Sequence, residues 1–263
     1  MNLEQDSYEE IKPFLDPLPL GCWRYHPVVG STNDLALDWV GEGAADWSLV
    51  LSDEQTAGRG RKSRRWEMNP GKGLAMSLIL RPTEAEKEHI IRFTALGALG
   101  LVQALKKYSL EVEIKWPNDV LLQCKKVGGV LVENAWMGES IEACIIGMGV
   151  NVAHGSVPKS VDLRMPATSV EDVLGATVKR WEMLAEILRS MMTLRAIVIK
   201  DTFIEDWNHH LAFRNQWVKF SYSSGEVEGV RILGIDGDGK LNLQHADGRL
   251  EAVNSGEIVV EST

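Results

Sequence analysis

A mixed α+β fold, a β-sheet carrying helices followed by a small C-terminal β-barrel, is predicted for this 263-residue chain from three observations. Helical and strand-like periods are interleaved as far as Leu211 without strict alternation. Beyond Phe213 the texture turns to short strands, Trp217 to Tyr222, Val227 to Ile235, Lys240 to Gln244 and Arg249 to Val253, joined by turns at Ser223-Ser-Gly225, Asp236-Gly-Asp-Gly239 and Asp247-Gly248, the pattern of a barrel of about 50 residues. The composition, 44% apolar and 25% charged, is that of a globular chain able to bury one substantial core and a smaller one. The expected division is 1–211 and 212–263.

Each element has its own signal. Tyr8 to Phe14 reads as a short helix and Cys22 to His26 alternates as a strand. Ser31-Thr-Asn-Asp34 opens a helix to about Val40, with Ser31 or Thr32 as N-cap and Asp34 favourable in the first turn. Trp47 to Asp53 and Leu74 to Leu80 are apolar strands flanking a basic loop. Glu84 to Lys107 is predicted as one helix, and Val112 to Trp116 as a strand stopped by Pro117. Val120 to Gln123, Gly129 to Trp136 and Ile141 to Val150 follow as β segments. From Ser169 to Leu211 the period is helical again, with Val178, Trp181, Leu184, Leu188 and Met191 on a core face.

Between Arg59 and Arg65 five of seven residues are basic, in a chain of net charge −9. Without those cations the remainder would stand at −14, five lower, which argues for one local cationic site and against a general polyanion-binding surface. Gly58 and Gly60 are expected to permit unusual backbone angles, so that the loop closes over an anion gripped by Arg59, Arg61 and Arg64. Cys22, Cys124 and Cys144 lack a paired spacing and no signal segment precedes them, so free thiols in a reducing cytoplasm are expected. No apolar run reaches the roughly 18 residues of a membrane span.

Further motifs carry polar groups at element ends. Ser31-Thr32-Asn33 either caps a helix or hydrogen-bonds a polar ring. Lys115-Trp-Pro-Asn118-Asp119 ends a strand with an amide suited to an adenine edge and a carboxylate suited to a cation, or forms a plain Asx-turn. Lys125-Lys126-Val-Gly-Gly129 sets a lysine before glycines that admit a ligand closely, and Gly147-Met-Gly-Val-Asn151 thins a core strand in the same way. Pro70-Gly-Lys-Gly-Leu74 lacks the frame of a phosphate loop, His209-His210 lacks further zinc ligands, and no serine or cysteine triad can be assembled.

Taken in order, Ser31-Thr-Asn33, Gln55-Thr-Ala-Gly-Arg-Gly-Arg61 with Trp66, Lys115-Trp-Pro-Asn-Asp119, Lys126-x-Gly-Gly-x-Leu-Val-Glu133 and Gly147-x-Gly-x-Asn151 resemble the biotin protein ligases, from about Val28 to Val260. The resemblance implies a catalytic domain like those of class II aminoacyl-tRNA synthetases and biotin/lipoate ligases, with a small Src-homology-3-like C-terminal barrel. It implies a two-step reaction in which biotin and ATP give biotinyl-5'-AMP and pyrophosphate, and a lysine of a biotin carboxyl carrier domain, in acetyl-CoA carboxylase or a related carboxylase, then takes the biotin. By resemblance Lys126 and Arg61 are catalytic. Ser31, Thr32, Gln55, Gly58, Arg59, Arg61, Lys126 and Gly129 hold biotin, while Arg59, Arg61, Arg64, Trp66, Asn118, Lys126 and Asn151 hold the nucleotide. Asp119 is a candidate Mg²⁺ contact, Mg²⁺ being the ion that accompanies ATP.

The resemblance carries two departures. Some members have an N-terminal winged-helix DNA-binding domain, whereas about 20 residues precede the first strand here, so a monofunctional form with neither DNA nor membrane as partner is expected. Some end the last barrel strand with an arginine near the ATP phosphates, where this chain has Glu261. A homodimer is admitted as a form of the enzyme. Lipoate ligation or octanoyl transfer is the nearest rival, and Gln55 with the Gly-Arg-Gly-Arg loop favours the ureido ring of biotin over a lipoyl tail. A nucleic-acid-binding module using the basic loop is the rival from another class, and the acidic remainder opposes it.

Overall fold

The computed structural model describes residues 3–159 and 165–260. In chain order it contains α1 (Leu3–Leu15), β1 (Cys22–Val29), α2 (Thr32–Gly41), β2 (Ser48–Gln55), β3 (Gly73–Leu80), α3 (Glu84–Lys87), α4 (Arg92–Lys106), β4 (Val112–Lys115), β5 (Asp119–Leu122), β6 (Lys125–Met137), β7 (Ser140–Asn151), α5 (Val170–Leu174), α6 (Arg180–Arg195), α7 (Asp201–His209), β8 (Trp217–Ser221), β9 (Val227–Ile235), β10 (Leu241–His245), β11 (Leu250–Val253) and β12 (Glu257–Val259). The fold is α+β, as the sequence predicts.

Seven strands form one mixed sheet in the order β1-β2-β3-β7-β6-β5-β4. The β1–β2 pair is parallel, which requires a crossover, and α2 supplies it. The remaining neighbours are antiparallel. Period-two alternation divides the buried side chains between two faces. Val50, Ile79, Ala143 and Ile145 pack with Ala36, Trp39 and Val40 of α2. The alternate residues Leu49, Leu51, Leu78, Leu80 and Ile146 face the larger core formed with α4 and α6.

Two predicted helices are broken. The stretch from Glu84 to Lys107 divides into α3, opened by a Thr83–Glu86 capping box, and α4. The reorientation turns the buried Arg92 inward, where it donates to the carbonyls of Val198 at 2.8 Å and Gly237 at 2.6 Å. The stretch from Ser169 to Leu211 divides into three helices. The first ends at Gly175, whose φ of +70° is the left-handed cap that glycine adopts most readily. The expected core stripe holds, Val178, Trp181, Leu184, Leu188 and Met191 all being buried.

The C-terminal strands form a second, antiparallel sheet in the order β11-β10-β9-β8-β12. Its predicted turns carry glycines at positive φ, Gly225 at +90°, Gly239 at +80° and Gly248 at +88°. The two sheets are closely joined. Trp116 lies 6.4 Å from the Phe220 ring and donates through Nε1 to the Gly239 carbonyl at 3.2 Å. The side chain of Asn208 on α7 binds both the amide and the carbonyl of Ile235. The three cysteines are free, Cys144 being buried and its thiol pushed up to about 12 by burial. Among the described residues no helix is long and apolar enough to cross a membrane.

Within the second sheet His245 is 2% exposed, with Nδ1 2.8 Å from Glu228 and Nε2 3.0 Å from Glu251, which also accepts from Tyr222. Hydrogen bonding to Glu228 raises its pKa above the ordinary imidazole value, against burial and the nearby Arg249 cation. A folded pKa above the unfolded one contributes stability that is complete below the unfolded value, about 6.5, and lost as pH rises through the folded value. The thermal midpoint of wild type is therefore expected to fall across that alkaline window, and His245→Gln to flatten the dependence. Parallel pH profiles of the two proteins in thermal melts would remove His245 from this role.

Candidate active site

The α2 face of the large sheet changes character along β7, where Ala143 and Ile145 are followed at alternate positions by Gly147, Gly149 and Asn151. Register carries the change sideways. Gly147 pairs with Ser77 of β3 and Leu131 of β6, and Gly149 with Ala75 and Gly129. Gly129 is opposite Asp119, and Asp119 opposite Lys115. Paired residues share a face, so a floor of small residues runs up to a buried ionic edge. Above it lies a cavity with roughly 860 Å³ of empty space, part of it open to solvent. The glycines are required by close approach: a Cβ on Gly147 would stand 2.2 Å from Asn33 Oδ1, and one on Gly149 2.1 Å from the Trp66 ring.

The start of α2 forms one wall. Ser31 has the extended backbone of an N-cap but its side chain makes no capping bond, contrary to the simple reading of the motif. The cap comes from β2, because Gln55 Oε1 accepts from the Thr32 amide at 2.8 Å and from its hydroxyl at 3.0 Å. This consumes the carbonyl end of Gln55 and leaves its NH₂ end as a donor. Behind it, Ser77 Oγ lies 2.7 Å from Thr32 Oγ1 and 2.5 Å from Asn33 Oδ1, and Asn33 Nδ2 donates to Glu133 at 2.6 Å. Asn33, Ser77 and Glu133 thus support the wall, a role that local sequence does not signal.

The basic loop crosses the mouth as a hairpin, with Gly60 N bonded to Arg64 O and Trp66 N to Gly58 O. Its glycines act differently from expectation. The residues at positive φ are Lys62 at +55° and Ser63 at +58°, while Gly58 is needed because a Cβ there would stand 2.5 Å from the Trp66 carbonyl. The arginines also differ. Arg59 is tied to Asp34 and, at 2.7 Å, to Glu133, and the hydrogen bond to Asp34 raises its pKa above the ordinary guanidinium value. Arg64 is held in a fork by Glu257 of β12. Among the described residues Arg61 makes no ion pair; its Nη1 reaches Asn118 Oδ1 at 3.4 Å, and burial depresses its pKa.

Asp119 takes two ammonium groups, Lys126 at 2.5 Å and Lys115 at 3.3 Å. Burial alone would raise its pKa, and the two lysines hold it below the usual carboxylate value. The Mg²⁺ contact expected at Asp119 does not fit this arrangement, since both oxygens face lysine ammonium groups. Lys126 Nζ lies 5.6 Å from the centre of the Trp66 ring. Ser31, Thr32, Gln55, Arg59, Arg61, Arg64, Trp66, Asn118, Asp119, Lys126 and Gly129 all line the cavity. Gly58 lies behind Gln55 and Trp66, and Asn151 lines a second, adjoining cavity with its Oδ1 buried and without a hydrogen-bond partner among the described residues. Arg64, Trp66, Lys115, Asp119, Lys126 and Glu257 border both cavities. Glu257 was not foreseen, and Glu261 lies outside the described residues.

This geometry has counterparts among known proteins. The chain matches the Biotin/lipoate A/B protein ligase family over residues 25–151 and the Biotin protein ligase C terminal domain over residues 215–260. It is 33% identical over 232 residues to the bifunctional ligase/repressor BirA of Bacillus subtilis (strain 168), covering 85% of this chain and 70% of that protein. To the biotin–(acetyl-CoA-carboxylase) ligase of Paracoccus denitrificans it is 32% identical over 234 residues, covering 83% of this chain and 92% of that one. Among solved structures, the biotin protein ligase from Aquifex aeolicus in complex with biotin and ATP is similar with a TM-score of 0.76 at 26% identity, covering 89% of this chain and 96% of that chain. With both matched regions lying on the two sheets that build the cavity, the chain belongs to the biotin protein ligases of the biotin/lipoate A/B protein ligase family.

Proposed function

We propose that the chain joins biotin and ATP into biotinyl-5'-AMP and then transfers biotin to a lysine of a biotin carboxyl carrier domain, such as that of acetyl-CoA carboxylase. The observation that carries this reading is the pair of cavities meeting at Lys126. A two-substrate activation needs two sites that converge on a cation. In the first step the biotin carboxylate attacks the α-phosphorus and the bond to pyrophosphate breaks. In the second the carrier amine attacks the acyl carbon, AMP leaves with the C–O electron pair and the amine gives up a proton.

Residue roles follow from position. Thr32 and the free NH₂ end of Gln55 face the ureido ring, with Ser31, Gly58 and Gly129 shaping its pocket. Lys126, fixed by Asp119, stands where charge develops during adenylation and stabilises it with little rearrangement. Arg61 is the loop cation available to an incoming anion, Arg64 serves the phosphates, and Trp66, Asn118 and Asn151 serve the adenosine. Arg59, already held by two carboxylates, braces the loop instead of gripping a substrate. Mg²⁺ would enter with ATP as the counter-ion of its phosphates. Residues 1–211 form the catalytic part and 212–263 the small C-terminal part, and the three free cysteines fit a cytoplasmic enzyme. Incubation with biotin, ATP, Mg²⁺ and a purified carrier domain is expected to add one biotin to the carrier by mass, and an unmodified carrier would overturn the reading.

Lys126→Ala is expected to lower biotin-dependent pyrophosphate exchange by on the order of 100-fold or more, with the thermal melt intact because Lys115 still pairs with Asp119. Exchange within about threefold of wild type would exclude Lys126 from the reacting centre. Arg61→Gly removes a cation that makes no ion pair among the described residues, so its main cost falls on the bound intermediate. Loss of a charged hydrogen bond of about 1.5 to 3 kcal/mol corresponds to roughly 10- to 150-fold faster escape of the adenylate. The expected result is biotin on bystander proteins such as albumin, with equal bystander labelling by wild type as the contrary outcome.

A further inference from the structure

The C-terminal sheet places a carboxylate where the anions of a substrate have to bind. Glu257 opens β12 and borders both cavities. Its Oε1 accepts from Arg64 Nη1 at 2.8 Å and its Oε2 from Arg64 Nη2, so both terminal nitrogens of the guanidinium are engaged. A two-point fork is also how a guanidinium takes a pair of phosphate oxygens. The pair is only partly exposed, at 37% for Arg64 and 23% for Glu257, and is weakly screened. The strand that carries Glu257 is three residues long and lies at an edge of its sheet, bonded to β8. Lys115 Nζ donates to the Ile258 carbonyl at 3.3 Å, which fixes this edge against the wall of the site.

We propose that Glu257 is an internal stand-in for a nucleotide phosphate: in the ligand-free chain it fills the fork of Arg64, and ATP has to displace it before Arg64 can hold the phosphates. This rests on the assignment of Arg64 to the phosphates made above. One fork holds one bidentate partner, and a carboxylate left beside an incoming polyphosphate repels it. Glu257 therefore sets the affinity for ATP. It keeps Arg64 extended and aimed at the site when no ligand is present, and weakens nucleotide binding by the competition it offers. Among the described residues, what the C-terminal sheet brings to the two cavities is an anion and no cation.

Glu257→Gln keeps the shape of the side chain and removes its charge. In biotin-dependent pyrophosphate exchange the KM for ATP is expected to fall about fivefold or more, while the KM for biotin stays within about twofold. Arg64→Gln is expected to raise the KM for ATP by about tenfold or more, and in that background Glu257→Gln should recover less than it gains in wild type. If Arg64→Gln leaves the KM for ATP unchanged, the phosphate assignment of Arg64 fails and the stand-in fails with it. If Arg64→Gln raises that KM but Glu257→Gln leaves it unchanged or raises it, the stand-in alone is overturned. Should Glu257→Gln lose its cooperative melt, Glu257→Ala, which removes the carboxylate altogether, replaces it and is expected to lower the KM for ATP in the same direction.

Discussion

Cations crowded around one cavity repel one another, and the site exists because carboxylates are interleaved among them. Asp119 separates Lys126 from Lys115, Asp34 and Glu133 hold Arg59, and Glu257 holds Arg64. Each carboxylate lies on a different element from at least one of its partners, so the fold itself sets the spacing of charge. A protein of net charge −9 has acidic residues to spare for this purpose. Arg61 makes no ion pair among the described residues, and burial depresses its pKa against the pull of the Asp119 and Glu257 charges.

The second constraint is steric. Side chains are stripped from one strip of the α2 face at Gly147, Gly149 and Gly129, and Asn33 and Trp66 come down onto the bare backbone of β7. The strip is continuous with the apolar stripe that packs α2. Core and cavity are thus successive stretches of the same strands, and the residues that stabilise one end position the other. Strand β3, buried along its whole length, gives that floor its rigidity.

Much of this was legible in the sequence because it rests on local or periodic signals. Strand periods, the glycine turns at Gly225, Gly239 and Gly248, and the glycines of β6 and β7 all depend on residues close in sequence. What escaped depends on distant partners. The break before α4 serves Arg92, whose acceptors are carbonyls at Val198 and Gly237. The start of α2 is capped by Gln55 and not by Ser31, because the fold brings a better acceptor to the Thr32 amide. Arg59 and Arg64 read as free donors in a glycine-rich run, yet acids on α2, β6 and β12 claim them. Asp119 read as a cation holder, and its cations are lysine ammonium groups.

The fork between Arg64 and Glu257 joins residues 193 positions apart. Ribosomal synthesis adds about 5 to 20 residues per second, so the loop waits on the order of 10 to 40 seconds for its last partner. During that interval the large sheet has all its strands, while the mouth of the cavity lacks one of its walls. A nascent chain therefore carries Lys126 long before Arg64 of the basic loop can pair with Glu257.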